Sequence, residues 1–476
     1  MAQEKLQRET RVVVLAAGRG TRMKSSRPKV LHEVCGRSML GYAQRLASEV
    51  DEDRPVVVVG ADAQAVREAC PEGEVEFVVQ EEQRGTGHAV MVTRDALSGF
   101  VGDVLILYGD TPLLRASTVL RMRALKEDAQ ADLVVLTAHG SMPGRIVRKT
   151  TGEIESIVEA QDASPEELAI PERNTGVYLV DAALLWPALD SLRTDNNQGE
   201  LYLTDVVAYA VKNGHRVEGL LIDDPDEGLG INTRRELAEA NRIMRRRIAD
   251  HWMEEGVTLV DPETTYIDAD VEVGADTVIE PGCSLLGRTR VGSRVRIKAG
   301  SYIEDSVLDD DVSFGPYSHL RPDSHLQEGV KIGNFVEIKN AVMGPGSKSA
   351  HLTYIGDADV GAGVNFGCGS VVVNYDGYEK HRSTVGDGAF VGCNVNLVSP
   401  VTVDARAFLA AGSTITKSVA EDALAVARAP QRMIEGWVAR KEGRSGSSDA
   451  KKKASSSEAS SDAGDSKDEG AGTKTS

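Results

Sequence analysis

Residues 267–303 read IDADVEVGADTVIEPGCSLLGRTRVGSRVRIKAGSYI, and an aliphatic side chain returns at every sixth position: Ile267, Val273, Ile279, Leu285, Val291, Ile297 and Ile303. The register reappears at Val330, Val336 and Val342, then at Val360, Phe366 and Val372. It runs again through Val385, Val391, Leu397, Val403, Leu409 and Ile415. A glycine or small residue often follows, as in VGAD, VGSR, VGAG, VGDG and VGCN. A sustained six-residue period is the signature of a parallel β-helix, whose stacked coils bury the recurring aliphatics in an internal column. Two stretches are expected to interrupt it, 309–329 with GPYSHLRPDSHL and 374–384 with NYDGYEKHRST. Insertions on one face of a solenoid are where binding residues gather.

Upstream the pattern is different. VVVLAAG, PVVVVGA, DVLILYGD and DLVVLTA are continuous apolar runs of the kind a parallel sheet buries on both faces, with helical stretches between them. They predict an α/β domain with a Rossmann-like parallel sheet. The resulting division is an extension at 1–10, the α/β domain at 11–232, a connecting helix at 233–256, the β-helix at 257–440 and a tail at 441–476. The tail is so rich in Ser, Gly, Ala, Lys, Asp and Glu that it is expected to be disordered.

At 476 residues, with 41% hydrophobic and 27% charged content, the chain has the composition of a soluble multidomain protein. A net charge of -19 argues against nucleic acid and against an anionic membrane as partner. No apolar run approaches the roughly 20 residues that span a bilayer. The opening MAQEKLQRET is no signal peptide, and five scattered cysteines without CxxC spacing suit reduced thiols, so a cytoplasmic location is expected.

The first ordered stretch, VVVLAAGRGTRM at 12–23, brings a strand to a glycine turn and then to basic residues. Met23 stands where a dinucleotide fingerprint needs its third glycine, and the P-loop pattern is absent. A plain strand-to-helix turn fits the glycines alone. Arg22 and Lys29 add two cations that, with backbone N–H groups, form a clamp for a triphosphate and its leaving pyrophosphate.

LAAGRGTRM followed by PKVLH resembles the nucleotidyltransferases that activate sugar 1-phosphates. Joined to VVQEEQRGTGHAV, LYGDTPLL, GRIVR, IVEAQDA, NTGVYLV and GINTRREL, it is similar to one bacterial family, the bifunctional N-acetylglucosamine-1-phosphate uridyltransferase and glucosamine-1-phosphate acetyltransferase. The resemblance implies that Leu15, Ala16, Ala17 and Gly18 line the UTP site, and that Gln80, Gly85 and Thr86 read the uracil. It implies that Gly144, Glu159 and Asn174 hold the sugar, and that Arg22 and Lys29 offset phosphate charge. Asp110 and Asn232 would bind Mg²⁺, a hard cation that takes oxygen ligands. Relatives commonly have Tyr where this chain has Pro143.

HLTYIGDADVG sets His351 and Tyr354 where the aliphatic register lapses at Lys348. Histidine there suits a general base near neutral pH, and a hydrogen-bonded histidine in a coil corner fits the same residues. The family resemblance makes His351 the base toward acetyl-CoA, with Arg321, Lys339, Tyr354 and Asn365 on glucosamine 1-phosphate. Acetyl-CoA is assigned to Asn374, Tyr375, Lys380, Cys393, Ala411 and Arg428, between coils of neighbouring subunits in a homotrimer with a left-handed β-helix. Relatives commonly have Ser at Cys393, and some have Lys at Ile434. The expected function is acetyl transfer to glucosamine 1-phosphate, then uridylyl transfer from UTP. The competing readings are a monofunctional sugar nucleotidyltransferase with a regulatory or oligomerising β-helix, and a non-catalytic interaction protein of this architecture.

Overall fold

The structure is a computed structural model and describes residues 9–442 apart from 19, 52, 61, 62, 72 and 141. Arg19 of the glycine loop, most of the expected extension and the tail beyond 442 lie outside the described residues. In the first half a twisted sheet runs in the order Val217–Leu221, Leu133–His139, Glu172–Asp181, Asp103–Tyr108, Thr10–Leu15, Val56–Gly60, Glu76–Gln80. Alternate residues of the first strand face opposite cores: Val12 and Val14 pack on one side, Val13 and Leu15 on the other. Burial on both faces is why that strand reads as a continuous apolar run. The sheet is not wholly parallel as expected. Glu172–Asp181 runs antiparallel to both its neighbours and carries the hairpin Arg145–Arg148/Ile154–Val158 on its outer end. Its ten residues alternate too weakly for direction to be read from sequence.

Helix Arg234–Glu254 lies within the segment 233–256. A capping box starts it, with the Thr233 side chain accepting from Glu236 N–H and Glu236 reaching back to the cap. Its Ala249 belongs to the β-helix core, with Trp252 packed against the same cluster. The two halves also meet directly. Arg37 pairs with Asp270, Ala269 N–H donates to Cys35 O at 2.9 Å, and the Arg245 guanidinium lies 4.5 Å from the Tyr266 ring centre.

The second half coils as its period predicts. Val278–Ile279 pairs in parallel with Thr258–Leu259 before it and with Arg296–Ile297 after it, so three short strands make one coil. The register from Ile267 to Ile303 is buried throughout. It continues without a gap through Leu308, Phe314, Leu320, Leu326, Ile332, Ile338 and Met343. The stretch 309–329 is therefore ordinary coil and not an insertion, carrying the strands Ser313–Phe314, His319–Leu320 and His325–Leu326. Five-residue steps, from 303 to 308, 338 to 343 and 355 to 360, shift the frame by one and hide the continuity. A second buried column lies two residues earlier, with Thr277, Cys283, Ser301, Ser318 and Ser347. Val330 and Val336 belong to that column, and Val342 is only half-buried beside Met343.

The insertion at 374–384 is present, between the buried Val372 and Val385. It is held as a structured loop. Asp376 accepts from Tyr378 and Glu379 N–H at 2.8 and 2.7 Å, and Arg382 forks onto Asp359 at 2.6 Å for each bond. The last strand of the coil is Leu424–Ala425, short of the expected boundary at 440. Residues from Ala427 form a second compact unit, whose described part ends in helix Trp437–Glu442.

Candidate active sites

Two cavities of about 240 and 670 Å³ open at the carboxyl ends of the first sheet's strands, where open α/β sheets bind ligands. Leu15, Ala16, Ala17, Gly18, Lys29, Gln80, Gly85 and Thr86 line the smaller one. Arg22, Gly144, Glu159, Asn174 and Asn232 line the larger, and Asp110 lines both. The sequence-derived residues thus converge. Gly20 turns the loop at φ 60°, and a Cβ there would stand 2.5 Å from Lys29 Cβ. Gln83, which sequence reasoning passed over inside the QEEQRGTG motif, donates to Ala17 O and ties the loop down.

Lys29 occupies a different place from a plain phosphate clamp. Its ammonium bonds Asp110 Oδ2 and donates to Asn232 Oδ1 at 3.0 Å. The proposed metal ligands therefore form an oxygen pair already arranged around a cation. Among the described residues no cluster of three His, Cys, Asp or Glu could hold a metal. One carboxylate and one amide oxygen suit Mg²⁺, which keeps waters and substrate phosphates as its other ligands. The connector cap builds this pair: Glu236 Oε2 accepts from Asn232 N–H at 2.7 Å and from Thr233 N–H at 2.8 Å.

Several other groups are committed locally. Gln80 is buried and donates to Gly85 O at 3.1 Å. Gly85 lies at φ 109°, where a Cβ would approach Leu201 O to 2.6 Å. Asn174 donates to Tyr178 Oη at 2.7 Å and accepts from Gly176 N–H at 3.0 Å, so its side chain shapes the strand. Asn174 N–H donates to Gly144 O at 3.0 Å, which leaves the Gly144 loop intact behind Pro143. Burial, then Asp162 and Asp205, push the Glu159 carboxyl above its usual range against Arg145 and Thr204.

On the coil, Arg321 N–H donates to Ile338 O at 2.8 Å, stacking Arg321 and Lys339 in one column of successive turns. Lys380, from the insertion, comes beside Lys339. Hydrogen bonding with that ammonium, followed by burial and repulsion from Lys380 and Arg321, holds Lys339 below the usual lysine range. Asn374 is buried, bonds Asp357 and reaches Tyr354 Oη at 3.4 Å. Lys380 and Asn374, assigned to acetyl-CoA on sequence grounds, stand with Lys339 and Tyr354 of the sugar-phosphate set. Tyr375 is exposed and donates to Gly377 O at 2.7 Å.

His351 ends the strand Lys348–His351, on a different sheet face from Lys339. Its Nδ1 lies 2.6 Å from Asn334 Oδ1. Asn334 sits directly opposite His351 on the previous coil, and sequence reasoning missed it. The carbonyl oxygen can only accept, which puts the proton on Nδ1 and leaves Nε2 free to take one. Asn365 opens the next strand of that face, opposite Lys348. Cys393 and Ala411 are register mates further along, since Gly412 N–H donates to Cys393 O at 2.8 Å. Arg428 and Ile434 belong to the second compact unit.

A nucleotidyltransferase domain fused to a hexapeptide-type β-helix with its own polar site is the class these features define. Residues 12–204 match the MobA-like NTP transferase domain family. The chain is 48% identical to the Bifunctional protein GlmU of Trichlorobacter lovleyi over 450 residues, 90% of this chain and 98% of that protein. It is 45% identical to the Clostridium novyi protein of the same name, again over 90% and 98%, and 48% identical to that of Listeria welshimeri over 88% and 96%. A solved UDP-glucose pyrophosphorylase complexed with UDP-glucose aligns with 50% of this chain at 18% identity and a TM-score of 0.42, too distant for its ligand to bear on this site. The chain belongs to the bifunctional GlmU family, the uridyltransferase–acetyltransferase family its motifs resemble.

Proposed function

We propose that the chain makes UDP-N-acetylglucosamine in two steps, each at its own site. On the coil the phosphate of glucosamine 1-phosphate is held by Arg321, Lys339 and Lys380. Its amine attacks the thioester carbonyl of acetyl-CoA, the C–N bond forms, and CoA leaves as the C–S bond breaks. His351 Nε2 takes the amine proton while Asn334 holds the Nδ1–H. In the first domain a phosphate oxygen of N-acetylglucosamine 1-phosphate attacks the α-phosphorus of UTP and pyrophosphate leaves. Arg22 and Lys29 offset the charge, and positioning does the rest without a protein nucleophile. Mg²⁺, held by Asp110 and Asn232, would neutralise phosphate charge when bound.

The observation that carries the bifunctional reading is the meeting of Lys339, Lys380 and Arg321. Arg321 is also paired with Glu337 at 2.9 Å, so Lys339 and Lys380 supply the surplus positive charge, a seat for a phosphate that an oligomerising coil has no need of. Acetyl-CoA completes its site against Cys393 and Ala411 with a neighbouring copy in a homotrimer, and light scattering reads that state directly. Among the described residues no helix is long and apolar enough to cross a membrane. The test is purified protein with glucosamine 1-phosphate, acetyl-CoA, UTP and Mg²⁺. Both CoA and pyrophosphate are expected; a protein that releases no CoA there, yet releases pyrophosphate when supplied directly with N-acetylglucosamine 1-phosphate and UTP, would favour the monofunctional reading.

A further inference from the structure

We propose that Cys368 and Cys393 form a dithiol that closes to a disulfide by exchange with a low-molecular-weight disulfide, and that closure stops acetyl transfer; the second half rests on the acetyltransferase reading above. The two residues are 25 positions apart, and nothing in their spacing pairs them. The coil does. Phe366 lies opposite Val391. Gly367 N–H donates to Val391 O at 2.7 Å and Asn394 N–H to Cys368 O at 2.8 Å, which sets Cys368 against Cys393 on successive turns. Both turns have the same build, Gly-Cys followed by a left-handed residue, Gly369 at φ 74° and Asn394 at φ 53°. The two side chains therefore leave the backbone in the same direction. Parallel neighbours are spaced about 4.8 Å apart, inside the roughly 4.4–6.8 Å between Cα atoms that a disulfide spans.

The other thiols are unsuited to this chemistry. Cys70 and Cys283 are buried and Cys35 half-buried, and burial raises all three thiols, Cys35 to about 12. Cys393 is exposed and Cys368 half-buried, so an incoming disulfide meets Cys393 first. The Cys393 thiolate attacks one sulfur of RSSR, forming a mixed disulfide and releasing one RSH. The Cys368 thiolate then attacks Cys393 Sγ, forms the protein S–S bond and releases the second RSH. The two protons lost by the cysteines end on the two released thiols, and one RSSR is reduced for each pair oxidised.

Closure matters because of where the pair sits. Ser349 lies opposite Phe366, so His351 stands over Cys368 on the preceding coil, and Ala411 follows Cys393 on the next. The column thus runs from the proposed base to the proposed donor site through the two sulfurs. Drawing Cβ atoms from coil spacing to the ~3.8 Å of a disulfide moves that corner, and a displacement of about 1 Å is enough to cost roughly a hundredfold in rate.

The experiment treats the full chain with oxidised glutathione and follows intact mass, CoA release, and pyrophosphate release from UTP and N-acetylglucosamine 1-phosphate. The protein is expected to lose two hydrogens in mass without retaining glutathione. CoA release falls about a hundredfold, pyrophosphate release holds, and dithiothreitol restores the loss. Cys368→Ser, which starts with normal activity, retains one glutathione instead of closing. Wild-type protein that keeps two glutathiones, or that closes with CoA release unchanged, overturns the proposal. Absence of CoA release from the reduced protein would instead count against the acetyltransferase reading, and the mass alone would then decide the thiol pair.

Discussion

Asn334 shows how much one amide can set. Bound to Nδ1 of His351 at 2.6 Å, its carbonyl fixes the tautomer and the ring plane together. Asn334→Ala is expected to lower kcat for CoA release by about 10- to 100-fold, by analogy with the carbonyl and carboxylate partners that orient metal-bound histidines. KM for acetyl-CoA and the rate of pyrophosphate release stay as they were, and Asn334→Asp, which still accepts from Nδ1–H, recovers most of the loss. A KM effect of the same size would mean that Asn334 only shapes the donor site. His351 was legible because a titratable residue breaks an apolar period, whereas Asn334 was not. The two are 17 residues apart, and the five-residue step between Ile338 and Met343 takes them out of an 18-residue repeat. Lys29, Asp110 and Asn232 were each legible from their motifs. Their mutual contact was not, since it brings together three segments that only the folded sheet and the connector cap align.

The strands of the coil illustrate what a repeat tolerates. Ser349 occupies the aliphatic column between Ile332 and Phe366, fully buried, and its hydroxyl has no hydrogen-bond partner. A buried hydroxyl without a partner costs about 1–3 kcal/mol. Ser349→Ala removes it without adding volume, and denaturant melts of the variant are expected to show a gain of about 1 kcal/mol. A loss would mean that the hydroxyl is satisfied in solution. At this level the sequence named the architecture and the insertion at 374–384. It misjudged 309–329 because a frame shifted by one residue looks, to a fixed period, like an interruption. The antiparallel strand Glu172–Asp181 escaped for a different reason: burial on both faces looks alike in either direction.

Across the whole molecule the two sites lie in separate halves, joined by helix Arg234–Glu254 and by contacts such as Arg37 with Asp270. Asp110→Ala is expected to abolish pyrophosphate release while leaving CoA release within about twofold, and His351→Ala to do the reverse, each by at least about a hundredfold in the affected step. Loss of both steps in a folded variant would break the two-site account. The coil itself has a direction. Each turn touches only the turns beside it, so its stability adds up along a line of nearest neighbours. Its first turns are anchored by Ala249 and Trp252 of the connector, whereas its last strand leaves Leu424 65% exposed. Such a stack is expected to fray from the end away from the connector, so the rungs of Cys393 and Ala411 should lose hydrogen-exchange protection before those of Ile267 and Val273.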